Sequence, residues 1–313
     1  MPGTRTVTDP VGTHSGAIEP LDRDTARDYR AQPNRPTPNR AESRVDGVTH
    51  PGQRFEGYVV ESVIGHGGQA DVYRARQHNR IVALKVLDEL HRDPASTARL
   101  AREFRIAASL QHPHIVPVFD HGPIWITMHY VDGGSAAGLP TLQSKLRALD
   151  QIAAALDHAH RNGIVHTDVK PTNILVHQDF SQRGAMLIDF GVAHVLAEDV
   201  WHRAPQVLAS LPYAAPELLQ GRLPQAATDE YALACTALEI LTGFTPFAGG
   251  NAMALVDEHL HTAPPEMSRR VPWLSRSFDL VLARAIAKDP DRRYESCAEM
   301  MDHLGDAVRR SGQ

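Results

Sequence analysis

The hydrophobic period of the chain changes part-way along, and that change limits the fold more than any other feature. Between Tyr58 and Val131 the apolar residues come in short, β-branched runs, YVVESVI, DVYRARQ, RIVALKVL, IVPVFDHG and IWITMHYV, separated by Gly-rich or polar turns. Beyond Leu139 they fall at helical spacing, with Leu142, Leu146, Leu149, Ile152, Leu156 and Ala159 on one face until Gly163. Short runs joined by tight turns pair as antiparallel strands, whereas an amphipathic helix needs a partner surface. A strand-rich smaller part followed by a helical larger part is therefore predicted, joined at Gly133-Gly134. One helix interrupts the strands: Asp93-Pro94 has the form of an N-cap with Pro in the first turn, and Leu100, Phe104, Ala107 and Ala108 follow at helical spacing. More helices are predicted around 229–241, 252–261, 278–287 and 296–308, the last opening with Ser296 and Glu299 at capping-box spacing.

Residues 1–52 show neither period and contain the turn-prone QPNRPTPNR, so they are predicted to be a disordered tail ahead of a domain over 53–310. Lys and Arg number 32 against 37 Asp and Glu, a net charge of −5, which supplies no basic field for nucleic acid. The two cysteines, Cys235 and Cys297, are far apart and belong to no CxxC pair, which excludes a disulfide framework from sequence grounds and fits a reducing compartment. No apolar run is long enough to span a bilayer and the N-terminus lacks an apolar signal segment, so a cytoplasmic protein is expected. Histidines occur as i, i+2 pairs, His112/His114, His158/His160 and His259/His261, which do not share a helix face; with no carboxylate or thiol cluster beside them, no zinc site is expected.

Phosphate chemistry is suggested by IGHGGQADV between the first two strands. Gly65, Gly67 and Gly68 allow the backbone to approach a ligand, and Val72 begins the next strand. Alone this is also what a plain hairpin turn looks like. Ala70 stands where a third glycine would complete GxGxxG, and the loop joins strand to strand, so a dinucleotide-binding βαβ unit is excluded. In the third strand Ala83 and Lys85 share a face, placing a small residue and a cation side by side. Glu103, in the middle of the following helix, is a candidate ion-pair partner for Lys85.

The segment IVHTDVKPTNILV, with Asp168, Lys170 and Asn173 in one short loop, is followed by MLIDFGVAH, which carries Asp189. In this order and spacing the motifs resemble the signature set of the protein kinases, specifically bacterial Ser/Thr kinases of the eukaryotic-like, or Hanks, type. The resemblance covers about residues 54–308. It implies an α+β, two-lobed fold: an antiparallel sheet plus one helix in an N-lobe, 53–132, and a mostly helical C-lobe, 133–310. It further implies ATP as phosphoryl donor with Mg²⁺, or Mn²⁺ in its place.

Residue by residue, the resemblance implies that Ile64 to Val72 covers the nucleotide, that Lys85 contacts its α and β phosphates, and that Glu103 holds Lys85. Asp168 is implied as catalytic base, Lys170 as the cation near the transferred group, and Asn173 and Asp189 as metal ligands. Ala83 and Leu175 would sandwich the adenine, Met128 would lie behind it, and His129 to Val131 would offer backbone groups. Ala215-Pro216-Glu217, Asp229 and Arg293 match the family's structural ion pair and helix anchor. Implied partners are proteins bearing Ser or Thr, and the chain itself by autophosphorylation, with dimerisation through the outer face of the small lobe as a family analogy.

Besides Ala70, the sequence departs from this pattern at the catalytic loop and activation segment. Asp168 is ordinarily preceded by Arg, which pairs with a phosphate on the activation segment; here Thr167 precedes it, and residues 189–217 contain no Thr and a single Ser, Ser210. Both halves of that switch are missing together, so the segment is expected not to be switched by its own phosphorylation. Glu198 and Asp199, or packing by Trp201, are candidates to order it instead, and autophosphorylation is expected on tail threonines between Thr4 and Thr49. The competing reading is a nucleotide-binding regulator or scaffold, similar to a pseudokinase, suggested by Thr167 and Ala70.

Overall fold

The computed structural model describes residues 50–195 and 210–311. The tail threonines, Glu198, Asp199 and Trp201 lie outside the described residues. The first lobe is an antiparallel sheet in the order β1-β2-β3-β4-β6-β5, built from β1 (Arg54–Phe55), β2 (Tyr58–His66), β3 (Ala70–Gln77), β4 (Arg80–Leu87), β5 (Val118–Gly122) and β6 (Trp125–His129). Helix α1 (Pro94–Ser109) lies between β4 and β5 in sequence and packs against β5 and β6. Asp93 caps it as predicted, accepting from the N–H groups of Ala95 and Ser96, with Pro94 in the first turn where no donor is needed. Gly52 N–H donates to Val60 O, so the folded body already includes residues 50–52.

The strand predicted over IVPVFDHG begins only at Val118. Pro117 has no N–H for the ladder, and Ile115 and Val116 instead attach to Leu187 of the second lobe through a bridge and a 3.0 Å backbone bond. Along β4, Val82, Leu84 and Val86 point into a core with Tyr58, Val60, Tyr73, Ala75 and Trp125. The alternation of a strand therefore turns Ala83 and Lys85 to the opposite face.

The second lobe contains α2 (Leu142–Arg161), α3 (Phe180–Arg183), α4 (Pro216–Leu219), α5 (Ala226–Thr242), α6 (Ala252–His261), α7 (Arg276–Ala285) and α8 (Cys297–Ser311). Two small antiparallel pairs join them: β7 (Ile164–Val165) with β10 (His194–Val195), and β8 (Ile174–Val176) with β9 (Ala185–Leu187). The long helices match the predicted ones within a few residues at their ends. The apolar stripe of α2 is buried from Leu146 through Leu149, Ile152 and Leu156 to Ala159, with Leu142 exposed at its start, and packs against α5, α8 and β9. Helix α5 is enclosed on nearly every side and buries Tyr231, Leu233, Cys235 and Leu238, as a helix at the centre of a lobe must. The lobes are joined over Gly133, where a Cβ would lie 2.6 Å from Val176 O; only glycine lets the link run this close to β8.

Sequence spacing showed no carboxylate or thiol beside a histidine pair, yet folding brings Asp157 and Cys297 to His160, with ligand-type atoms within 4.8 Å of one another. Their polar atoms are already engaged. Asp157 accepts from the N–H groups of Cys297 and Ala298 at 2.9 and 3.0 Å, capping α8, and His160 Nε2 is bonded to Asp229 at 2.7 Å. This is a helix-capping cluster. His112 and His114 lie in the loop after α1 and not on a helix, and His112 stacks on His158 with ring centroids 5.1 Å apart.

Glu217 of α4 and Arg293 form a buried, two-pronged ion pair, with N–O distances of 2.8 and 2.9 Å. Thr228 Oγ1 donates to Glu217, and Arg293 also donates to Ala227 O and Ala287 O, so both charges are fully hydrogen-bonded. Glu217→Ala would strand the guanidinium, and a loss of about 3–5 kcal/mol in urea unfolding is expected. Glu230, beside this pair, is buried with the Tyr294 N–H as its donor, and burial pushes its carboxyl up to about 8. A carboxyl raised on folding contributes stability that is complete below its unfolded value and lost as pH rises through its folded one. Glu230→Gln is therefore expected to raise the melting temperature at pH 8.5 and to change it little at pH 5.

Candidate active site

Four separate stretches converge on the crevice between the lobes. The β2–β3 turn forms its roof: Gly65 pairs with Val72, and Gly67 N–H donates to Ala70 O at 2.8 Å. A Cβ on Gly67 would lie 2.9 Å from that same oxygen, which explains the glycine; Gly68 has open space around it and Ile64 is partly exposed on the strand end. The turn closes without a glycine at Ala70, whose side chain is buried against Leu87, Leu100 and Ile126. At the back wall, Ala83 is paired with Met128 and Lys85 with Ile126 across β4 and β6. Met128 is half-buried against the same small cluster, and His129 and Val131 carry the chain out of the sheet toward Gly133. Leu175 on β8, bridged to Ser135, lies on the second-lobe side.

Lys85 is the centre of the charge arrangement. Its ammonium donates to both oxygens of Glu103, at 2.7 and 2.9 Å, and to Asp189 Oδ1 at 3.2 Å. Burial alone would lower the Lys85 pKa, but the carboxylates of Asp189 and Glu103 outweigh it and hold it above the ordinary lysine range. Lys85 in turn brings Asp189 down to about 2, against the effect of burial. Burial pushes Glu103 upward, with Lys85 pulling the other way. The Asp189 side chain keeps 41% of its surface open to the crevice, so this pair remains partly screened and accessible to a ligand.

Asp168 accepts from three donors: Ser210 Oγ at 2.5 Å, Lys170 Nζ at 2.8 Å and Asn173 Nδ2 at 3.0 Å. Lys170 also reaches Ser210 Oγ at 3.0 Å, so a hydroxyl lies between a carboxylate and an ammonium. Asn173 Nδ2 clamps the Asp168 carbonyl as well, at 2.8 Å, which fixes its amide oxygen on the other side of the group. Asn173 and Asp189 together present hard oxygen donors, the type Mg²⁺ takes, and their chemistry fits such an ion.

The loop carrying Asp168 is held from beneath. Asp229, fully buried at the start of α5, accepts the N–H of His166 and of Thr167, both at 2.7 Å, and His160 Nε2–H at 2.7 Å. His166 is buried as a packing residue, edge-on to Phe190, and bonded to Ile188 O at 3.1 Å. Thr167 and Asp189 both have left-handed backbones, φ 66° and 68°. Sequence reasoning missed two contributors. His160 appeared only as half of a histidine pair, and Arg102, whose guanidinium donates to Ala193 O at 2.5 Å, carries no motif beyond preceding Glu103.

The family model described as the protein kinase domain matches residues 58–304. The chain belongs to the protein kinase family. It is similar to the Ser/Thr-protein kinase PknJ of Mycobacterium tuberculosis, 43% identical over 263 residues covering 79% of this chain and 45% of that protein. With PknF of the same species it shares 38% identity over 282 residues, covering 83% and 58%. Among solved structures, the crystal structure of the M. tuberculosis PknI kinase domain superimposes with a TM-score of 0.64 at 32% identity, over 83% of this chain and 99% of that one. The chain thus falls in the bacterial Hanks-type Ser/Thr protein kinase family, with the two-lobed fold that its motifs implied. The chain spans about half the length of the curated relatives it matches. No helix among the described residues is long and apolar enough to cross a membrane.

The anchoring carboxylate of Asp229 generates a test independent of any substrate. Asp229→Asn keeps the shape but removes the charge and one acceptor, so a stability loss of about 1–3 kcal/mol is expected. Amide exchange at His166 and Thr167 should accelerate more than at residues elsewhere in the lobe.

Proposed function

We propose that this protein is a Ser/Thr protein kinase that transfers the γ-phosphoryl group of ATP to hydroxyls of protein substrates, with the kinase domain spanning residues 53–310 and lobes meeting at 132/133. One observation supports this most directly: Lys85, Glu103 and Asp189, from three distant stretches, meet within 3.2 Å across the crevice from Asp168, Lys170 and Asn173. Phosphoryl transfer asks for alignment and charge neutralisation more than for covalent help, and that is what this residue set offers.

Under this reading Ile64, Gly65, Gly67, Gly68 and Val72 cover the nucleotide, and Ala83, Met128, His129, Val131 and Leu175 surround its base. Lys85, oriented by Glu103, binds the α and β phosphates. Asn173 and Asp189 would hold Mg²⁺, or Mn²⁺ in its place, and the bound ion would neutralise charge on the phosphates. Asp168 orients the substrate hydroxyl and takes its proton as the new O–P bond forms. Lys170 offsets charge on the moving group while the bond to the ADP oxygen breaks. Ser210 Oγ, now 2.5 Å from Asp168 and 3.0 Å from Lys170, marks where an incoming hydroxyl finds both groups.

The activation segment offers no threonine to phosphorylate and Thr167 no guanidinium to receive the phosphate, which supports a kinase not switched there. Autophosphorylation then falls on the threonines between Thr4 and Thr49. Two buried, unpaired cysteines are compatible with a cytoplasmic site of action.

The test is transfer of labelled γ-phosphate to a generic basic protein and to the chain itself. Asp168→Asn should lower the rate by at least about a hundredfold while nucleotide binding, followed by thermal shift, persists. Lys85→Met should impair both. Wild-type protein that binds ATP yet transfers nothing would replace the enzyme by the nucleotide-binding regulator that Thr167 and Ala70 suggest.

A further inference from the structure

The residues directly after Gly191 are tied to three different parts of the molecule. Val192 O accepts from Thr167 Oγ1 at 2.8 Å, Ala193 O from Arg102 at 2.5 Å, and His194 and Val195 pair with Val165 and Ile164. Every one of these contacts is made by groups the chain itself carries. Thr167 and Arg102 come from opposite lobes and take two successive carbonyls.

Thr167 is an unfavourable choice for its backbone. A β-branched residue at φ 66° is strained, and Gly or Asn would adopt that conformation more easily. Asp229 holds the conformation in place by accepting the Thr167 N–H at 2.7 Å. The side chain gives a reason for the residue: from this backbone the hydroxyl reaches Val192 O and couples the catalytic loop to the chain three residues past Asp189. Arg102 immediately precedes Glu103 on α1, so its bond to Ala193 O ties the same stretch to the helix whose glutamate holds Lys85.

We propose that Thr167 and Arg102 act as a clamp on the carbonyls of Val192 and Ala193, positioning Asp189 and Glu103 together without a phosphate on the activation segment. Both are positioning residues, since neither touches the reacting atoms. The proposal rests on the kinase reading and names what takes over the work of the absent Arg and phosphate. One hydroxyl in one bond fastens the segment to the loop, and one guanidinium fastens it to α1.

The decisive comparison is Thr167→Val, which keeps the β-branch and its strain while removing the hydroxyl, against Thr167→Ser, which keeps the hydroxyl. Thr167→Val is expected to lower kcat about tenfold with KM for ATP changed less than twofold, the size expected for one lost hydrogen bond acting on position and not on nucleotide binding. Thr167→Ser should return kcat to within about threefold of wild type, and phosphatase treatment of wild type should leave kcat unchanged. In nucleotide-free protein, amide exchange across 190–195 should be about fivefold faster or more in Thr167→Val, near wild type in Thr167→Ser, and faster again when Arg102→Ala is added.

Wild-type exchange in Thr167→Val, equal impairment of Val and Ser variants, or loss of wild-type kcat on dephosphorylation would each overturn the clamp. The exchange measurement needs no turnover, so it decides the clamp even where wild type transfers no phosphate, a result that would count against the kinase reading alone. If Thr167→Val does not fold, Arg102→Ala carries the same test: a wild-type exchange rate at 190–195 in that variant overturns the proposal.

Discussion

The active-site loop depends on a single buried carboxylate. Asp229 is fully enclosed at the start of α5 and takes the N–H groups of His166 and Thr167 together with the imidazole of His160. A buried carboxylate is tolerable only when donors surround it, and these donors come from α2 and from the loop between β7 and β8. The same interaction pins Thr167 in a conformation that it would otherwise avoid and so points Asp168 into the crevice. Stability of the helical lobe and placement of the Asp168 carboxylate are one problem with one solution.

The roof and wall of the crevice are governed by charge. Lys85 has no partner in its own strand and finds Glu103 only because α1 packs on β5 and β6; it reaches Asp189 only because β8 and β9 bring the chain back beneath the sheet. Positive and negative groups in this low-dielectric setting are worth more than on a surface, and their mutual ion pairing keeps both lobes in register. Against that background the clamp at Val192 and Ala193 is economical: two hydrogen bonds from opposite lobes act on adjacent carbonyls of the stretch that carries Asp189.

Elsewhere in the helical lobe several buried polar groups have matched partners, although His259 Nε2 and Glu258 Oε2 do not. Arg293 and Glu217 satisfy each other and their neighbours, Asp157 caps α8, and Lys288 donates to the last carbonyls of α6, Glu258 O at 3.0 Å and His259 O at 2.7 Å. Burial pushes Lys288 down to about 8 and His259 down to about 4, since neither has a counter-charge that offsets its loss of water. These groups are structural ties in the interior, set apart from the crevice.

Local pattern was enough for the element types. The alternation of Val82 to Val86, the helical stripe of α2 and the Asp93-Pro94 start of α1 are written in neighbouring residues, because strand faces, helix faces and caps are set within a few positions. The kinase motifs were equally legible, since Asp168, Lys170 and Asn173 lie within six residues of one another. Strand β5 starting after Pro117, the short pair β7–β10, and the joining of Asp157 and His160 to Cys297 were not legible: each depends on partners tens of residues away. Sequence by itself determined which side chains are available and that Arg is missing before Asp168. Only the tertiary structure decided that Thr167 Oγ1 meets Val192 O and that Arg102 meets Ala193 O, because a hydrogen bond between distant segments is fixed by the packing of whole lobes and leaves no periodic mark along the chain.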